Sequence, residues 1–483
     1  MFSTEEYVAA IKGEAVPSRL TGRLSVCSLV RGIRYHDGFA QELYGDPELP
    51  MVTRSLNARA IMSNRIPVMT APEQFPYCFW YPEVPREETL RQLLAQYPDC
   101  TLLRYQVGRA CAVGGYSSLY QELGLLPDVA IAEEARDNTV SGQMIYDSIM
   151  EAPVRYAYMD DYNRCLRPTP MPGACLNGDT CVRSMLDNKE PVSVIALITN
   201  VVFDITEDRC IDIEGIEPLA RPVDPQAVAL LHAPLPTDLP TVDKDLLILM
   251  AVWSGNIDRY ARLRRPRLIE GEIPCVVRGI HHHSLFAKWW LTQRQPDTAE
   301  FIVQAIHARC VMNNDLSWLT ENTLESELPN LIWYPHVANK ATYRELVRRR
   351  PSMAYTVARA CIHADYEDLF STLHFTPDKA LYLDADNSDN NAYLQSVKAN
   401  AANCGIDLRS LLFQPEDWTD PDPHILLRQD QVTRGYATQS IYITGQITLD
   451  HLGFRPEDLQ TVPSTVGQVL LLASMADPAR RPQ

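Results

Sequence analysis

The sequence predicts a mostly α fold: an internally duplicated helix-turn-helix solenoid, with minor β or irregular segments after each array. Two observations lead there. First, four motifs recur in the same order in two halves of the chain. VRGIRYHDGF (30–39) matches VRGIHHHSLF (277–286), and SLNARAIMSN (55–64) matches AIHARCVMNN (305–314). CFWYPEVPREETLRQLLAQYP (78–98) matches LIWYPHVANKATYRELVRRRP (331–351), which sets Trp80 against Trp333. VGRACAVGGYSSLYQEL (107–123) matches VARACIHADYEDLFSTL (357–373). Second, a finer unit repeats within each half, and a short internal period is the mark of a repeat architecture.

The finer unit is clearest in the second half, in MAVWSGNIDRYARL (250–263), VRGIHHHSLFAKWW (277–290), ARCVMNNDLSWL (308–319) and ARACIHADYEDLF (358–370). Each has an apolar helical stretch, a small or polar corner, and a second apolar stretch with helical spacing. The corners are Gly255-Asn256, His282-His283, Asn313-Asn314 and Ala364-Asp365, with Asn339 near a further one. They fall roughly 25–30 residues apart, the length of one helix pair in a solenoid. IALITNVVFDI (195–205) and IYITGQITLDH (441–451) alternate in part with period two around a turn, which predicts a short hairpin in each half.

AVWSGNIDRYARL resembles the helix-corner-helix core of an ankyrin repeat at Ala251, Gly255, Asn256, Ile257 and Tyr260. The Thr-Pro-Leu-His opening of an ankyrin unit is absent throughout. The resemblance therefore implies a divergent ankyrin-like solenoid. The chain also resembles a group of poorly characterised filamentous-fungal proteins carrying VRGI, NNDLS and WYP…TYRELVRRRP signatures, a resemblance that implies no particular activity. The expected organisation is a first array at 1–150, an irregular segment and Pro-rich linker at 151–242, a second array at 243–385, and an irregular C-terminal segment at 386–483.

Composition narrows the function classes. The 483 residues are 46% hydrophobic and 22% charged, as in ordinary soluble domains. The net charge of −17 argues against a nucleic-acid binder, which needs a basic face. It equally disfavours a polybasic membrane anchor. The most apolar stretch, 192–203, is shorter than the about 20 residues a spanning helix needs, and MFSTEEYVAAIKG has no signal-peptide character. The twelve cysteines are scattered, as expected of reduced, cytoplasmic thiols. No Walker A loop, dinucleotide-binding loop, G-x-S-x-G elbow or H-E-x-x-H is present.

The candidate functional residues are duplicated ones. Arg31, Arg59 and Arg109 match Arg278, Arg309 and Arg359, each on an otherwise apolar helix. Two roles fit such arginines. Their stems pack in the core and their guanidiniums bond neighbouring carbonyls or carboxylates, or they form a ladder on the concave face that grips an anionic ligand. His281, His282 and His283 are consecutive, so on a helix they diverge by about 100° and offer no common metal site. His283 matches His36 and is expected to bond a neighbouring corner. Trp80 and Trp333 are expected as packing anchors or contact points, each followed by a proline suited to a helix's first turn. CLRPTPMPGACLNGDTC (165–181) predicts a loop whose Cys165, Cys175, Cys181 and Asp179 fit no common zinc spacing. The Asp160-Asp161 pair is expected to be solvated. Arg348, Arg349 and Arg350 close a helix, where cations complement the macrodipole.

Two functions follow as expectations, with no cofactor and no metal. The first is a cytoplasmic helical-repeat scaffold that recognises a protein partner. The second is an enzyme or binder of an anionic small molecule, with an arginine-lined pocket between the duplicated halves.

Overall fold

The fold comes from a computed structural model, which describes residues 4–20, 23–138, 140–178, 189–191, 210–212, 225–231, 233–266, 268–269, 271–294 and 298–407. The chain divides into two compact units. One comprises Met1–Leu219 with Pro234–Lys244, the other Ala220–Ala233 with Asp245–Gln483. Among the described residues, helices are the main secondary structure of both. The hairpins expected at 195–205 and 441–451 lie outside the described residues.

The first unit runs α1 (Thr4–Ile11), α2 (Arg23–Tyr35), α3 (Pro50–Met62), α4 (Glu87–Gln96), α5 (Thr101–Gly114), α6 (Ser117–Leu123), α7 (Val129–Asp137) and α8 (Gln143–Met150). An antiparallel pair follows, β1 (Tyr156–Asp160) with β2 (Cys165–Pro172), and then a short parallel pair, β3 (Lys189–Pro191) with β4 (Cys210–Asp212). α5 is the central helix. Leu103, Val107, Ala110 and Cys111 are fully buried on it, against Leu90 and Leu93 of α4 and Ile131 and Ala135 of α7.

The second unit runs α9 (Pro225–Leu230), α10 (Lys244–Trp253), α11 (Ile257–Leu263), α12 (Glu272–His282), α13 (Ser284–Gln293), α14 (Glu300–Met312), α15 (Lys340–Arg349), α16 (Ala354–Ala364), α17 (Glu367–Phe370), α18 (Lys379–Asp386) and α19 (Asn391–Asn403). Its helices break at the expected corners for local reasons. Gly255, Asn314 and Asp365 take positive φ, which ends a helix. Asn256, Asp378 and Asn390 then cap the following helices through their side chains.

Five expectations need correction. Helices continue to Asn403, past the array boundary drawn at 385, because Asn390 caps α19 and buries Tyr393, Val397 and Ala401. The stretch after Asn313-Asn314 forms no second helix. Asp315 closes a turn on Ser317 N, and Trp318 stacks on His307 with ring centroids 4.0 Å apart. The segment 165–181 is not all loop, since β2 occupies its first half; its prolines lack only the donor an edge strand can spare. Asp161 is not solvated but 8% exposed, held in an ion pair. Pro82 and Pro335 do not open helices. Both follow cis peptide bonds, and the helices start later, at Glu87 and Lys340.

That later start has a shared cause. Asn64, with φ 61°, accepts from Arg86 N at 2.7 Å and Thr89 Oγ1 at 2.9 Å. Asn314, with φ 62°, accepts from Asn339 N at 2.7 Å and Thr342 Oγ1 at 2.8 Å. In each unit one corner asparagine thus supplies the N-terminal cap of a helix in the next pair.

Candidate functional site

Side chains of the matched motifs gather around the two Trp-Tyr-Pro turns. In the first unit, Arg34 donates to the carbonyls of Cys78 and Tyr81, at 2.9 Å to Cys78, and Tyr35 bonds the Tyr81 hydroxyl at 3.0 Å. In the second unit the matching residues are His281 and His282. The His281 Nδ1 meets the Tyr334 carbonyl at 3.2 Å, and His282 packs edge-on against the Tyr334 ring. Different chemistries therefore fasten the same carbonyl, that of the tyrosine before the cis-proline.

Arg59 and Arg309 occupy the next layer. Arg59 donates to the Arg34 carbonyl at 3.0 Å, and Arg309 to the His281 carbonyl at 2.9 Å. Each places positive charge at the C-terminal end of the preceding helix, where exposed carbonyls favour it. Arg59 also forks onto Glu83 at 3.1 and 2.9 Å; Arg309 instead bonds the Ser284 hydroxyl at 2.9 and 2.7 Å. Arg278 repeats the motif one layer earlier. It bonds the Trp253 carbonyl at 2.7 Å and lies 4.0 Å over the Trp253 ring. Burial pulls its guanidinium down to about 10. Arg31 lies 3.6 Å over Tyr35.

The third arginine of each set is the most buried. Arg109, 0% exposed, forks onto Asp161 at 2.7 and 2.9 Å, and Tyr77 donates to the same carboxylate at 2.6 Å. Burial opposes the charge on Arg109, but Asp161 beside it leaves the guanidinium above its ordinary value. Arg359 pairs with Asp384, both essentially unexposed. Trp80 and Trp333 roof these pairs, with Arg109 5.8 Å and Arg359 5.3 Å from their rings. His363 stacks on Trp333 at 5.0 Å. Both tryptophans are buried, at 3% and 6% exposure.

His36 and His283 lie elsewhere, on the corners. Their rings rest on Gly13 and Gly255, glycines with φ of 68° and 64°, and a Cβ on either glycine would overlap the ring. Neither ring makes a hydrogen bond among the described residues, so the contact is packing rather than the expected bond to a neighbouring corner. The histidine triplet thus serves three separate contacts: the Tyr334 carbonyl, the Tyr334 ring and Gly255. Cys165 and Cys175 are half-buried; Asp179 and Cys181 lie outside the described residues.

Sequence reasoning placed Asn314 at a corner and Asp161 in solvent, but gave neither its structural role, and did not single out Asp384 or Asn64. The asparagines carried a signal, since both end matched motifs at a corner. Asp161 carried none, because its partner is 52 positions away.

One expected outcome follows from His281. Burial holds its imidazole down, at about 4, against the raising effect of its bond to Tyr334. The folded state thus keeps it neutral while the unfolded chain protonates near the ordinary histidine value of about 6.5. Stability of the second unit is full above that value and falls with acidification toward pH 4, by a few kcal/mol. His281→Gln should flatten this slope in urea unfolding across that window; an unchanged slope would assign it to other groups.

Two stretches, residues 80–169 and 333–408, match the family model described as the YKP1 C-terminal domain, and both matches begin on the tryptophan of a Trp-Tyr-Pro turn. The chain is also similar to the uncharacterized killer plasmid pGKl-2 protein 1 of Kluyveromyces lactis, 23% identical over 138 residues. That alignment covers 29% of this chain and 59% of the plasmid protein, so the chain spans less than two thirds of that relative. No solved structure matches.

Proposed function

We propose that the chain is a duplicated helical-repeat protein that acts by binding a protein partner. The observation that carries the proposal is how the duplicated side chains are used. In both units the second and third matched arginines are turned inward, Arg59 and Arg309 onto the preceding helix's carbonyl, Arg109 and Arg359 onto a buried carboxylate. The one family model that matches in each half supports duplication. Residues spent on internal fastening build a stiff framework, and a stiff repeat framework suits recognition over an extended outer surface. An open groove of about 570 Å³ in the second unit, lined by Leu291, Arg294, Glu300, Val303, Leu324 and Glu327, includes none of the six arginines. The link from architecture to binding is one of analogy.

The test is affinity purification of the full-length chain from native extract, followed by size-exclusion chromatography. A protein co-eluting at fixed stoichiometry is expected. Consistent elution of the chain alone, across concentrations and salt, would overturn the proposal.

A further inference from the structure

Helix α15 has kept an arginine whose partners are gone. In the first unit, Arg91 on α4 is bound by two carboxylates, Glu87 at 2.7 Å and Glu122 at 2.8 Å. The matching arginine of the second unit is Arg344. Lys340 stands where Glu87 stands, and Thr372 where Glu122 stands. Arg344 is exposed and has no partner among the described residues. Two more arginines, Arg348 and Arg349, replace Ala95 and Gln96 of α4. Their side chains are 70% and 42% exposed and share one carboxylate, Glu345. Lys340 is neutralised by Asp368 at 2.6 Å. The patch therefore carries more positive charge than its own carboxylates balance, on a chain whose net charge is −17.

Spacing defines what fits. Lys340, Arg344 and Arg348 recur every fourth residue and so form one stripe along the helix. Guanidiniums in such a stripe are about 6 Å apart along the axis. Carboxylates on alternate residues of an extended peptide are about 6.6 Å apart. Guanidinium forks also match carboxylates bidentately.

We propose that the exposed face of α15, through Arg344, Arg348 and Arg349, docks an extended segment of a partner protein with acidic residues at alternate positions. This rests on the protein-binding function proposed above and names the chemistry of the partner.

The probe is a fluorescein-labelled octapeptide of alternating glutamate and serine, titrated with the full-length chain at low ionic strength and followed by anisotropy. Binding that weakens steeply with salt is expected, with none for the glutamine–serine peptide. Arg344→Ala should weaken it about threefold, and R344A/R348A/R349A about tenfold or more. The triple lysine variant should retain part of the affinity, and Arg91→Ala should change nothing. Circular dichroism establishes that each variant is folded. Equal binding by the triple alanine variant would overturn the proposal. So would tighter binding of oligo(dT) of equal charge, which would make the face a general polyanion site. It also falls if binding appears only after Glu416, Asp417, Asp420 and Asp422, an acidic stretch outside the described residues, are changed to amides, since the chain itself would then supply the occupant. A partner still captured from extract by the triple variant would sink this docking face and leave the binding function standing.

Discussion

Gly279→Ala is expected to destabilise the second unit by about 3 kcal/mol, and Gly32→Ala the first unit by a similar amount. Both glycines sit inside helices, α12 and α2. At an ordinary helix interior the same change stabilises by roughly 0.5–1 kcal/mol, because alanine is the better helix former. Here the sign reverses. A Cβ on Gly279 would fall far inside van der Waals contact distance of the Val252 carbonyl oxygen, with Phe286 Cε1 3.0 Å away. On Gly32 it would meet the Ala10 carbonyl in the same way, with Phe39 Cε1 at 2.8 Å. The obstacle is backbone, so no rotamer change relieves it, and the helix must move off its neighbour. Guanidinium unfolding of the full-length chain checks this, each variant moving the transition of its own unit. A stabilised Gly279→Ala protein would show that α10 and α12 separate freely, and the close approach would lose its role.

The VRGI motif thus has a physical meaning: its glycine is where two helices cross backbone to backbone, and its arginine turns toward an aromatic ring, Tyr35 or Trp253. That much was legible in the sequence as a repeated motif, though its cause was not, because a crossing involves a residue on another helix. The corners were legible because they are local, set by residues that tolerate positive φ or cap the next turn. The helical character was legible for the same reason, through spacing within a dozen residues. Partners of buried charge were not. Nothing around Arg109 marks Asp161, which arrives from the turn after β1. Six positions after the capping Asp128 stands Glu134, and six after the capping Asp378 stands Asp384. Arg359 takes the α18 carboxylate at that position, whereas Arg109 forks onto Asp161. Likewise Arg34 and His281 look unrelated in an alignment, yet bond matching carbonyls, those of Tyr81 and Tyr334. Where the fastening atom is a backbone carbonyl, side chains of different type can exchange so long as each offers an N–H.

Asp161→Asn should cost the first unit about 3–5 kcal/mol, because it leaves the Arg109 charge buried against an amide that cannot neutralise it. Arg109→Met should cost a similar amount, stranding the carboxylate with the Tyr77 hydroxyl as its only side-chain donor among the described residues. Joining the two distinguishes this pair from a surface bridge. R109M/D161L replaces both charges with apolar groups of comparable size, and a buried ion pair replaced in that way is close to neutral. The double variant should therefore be more stable than either single one, a favourable coupling of about 2 kcal/mol or more in a double-mutant cycle. The same cycle at Arg359 and Asp384 should behave alike in the second unit, where both partners lie on helices. The first unit adds a structural readout. Asp161 follows β1, so its loss should also release β1–β2 from α5, seen as faster amide exchange at Tyr158 and Met159, whose N–H groups bond Asp128. Additive single-variant losses, with exchange in the hairpin unchanged, would mean that the pair is replaceable packing and that Asp128 alone holds the strands in place.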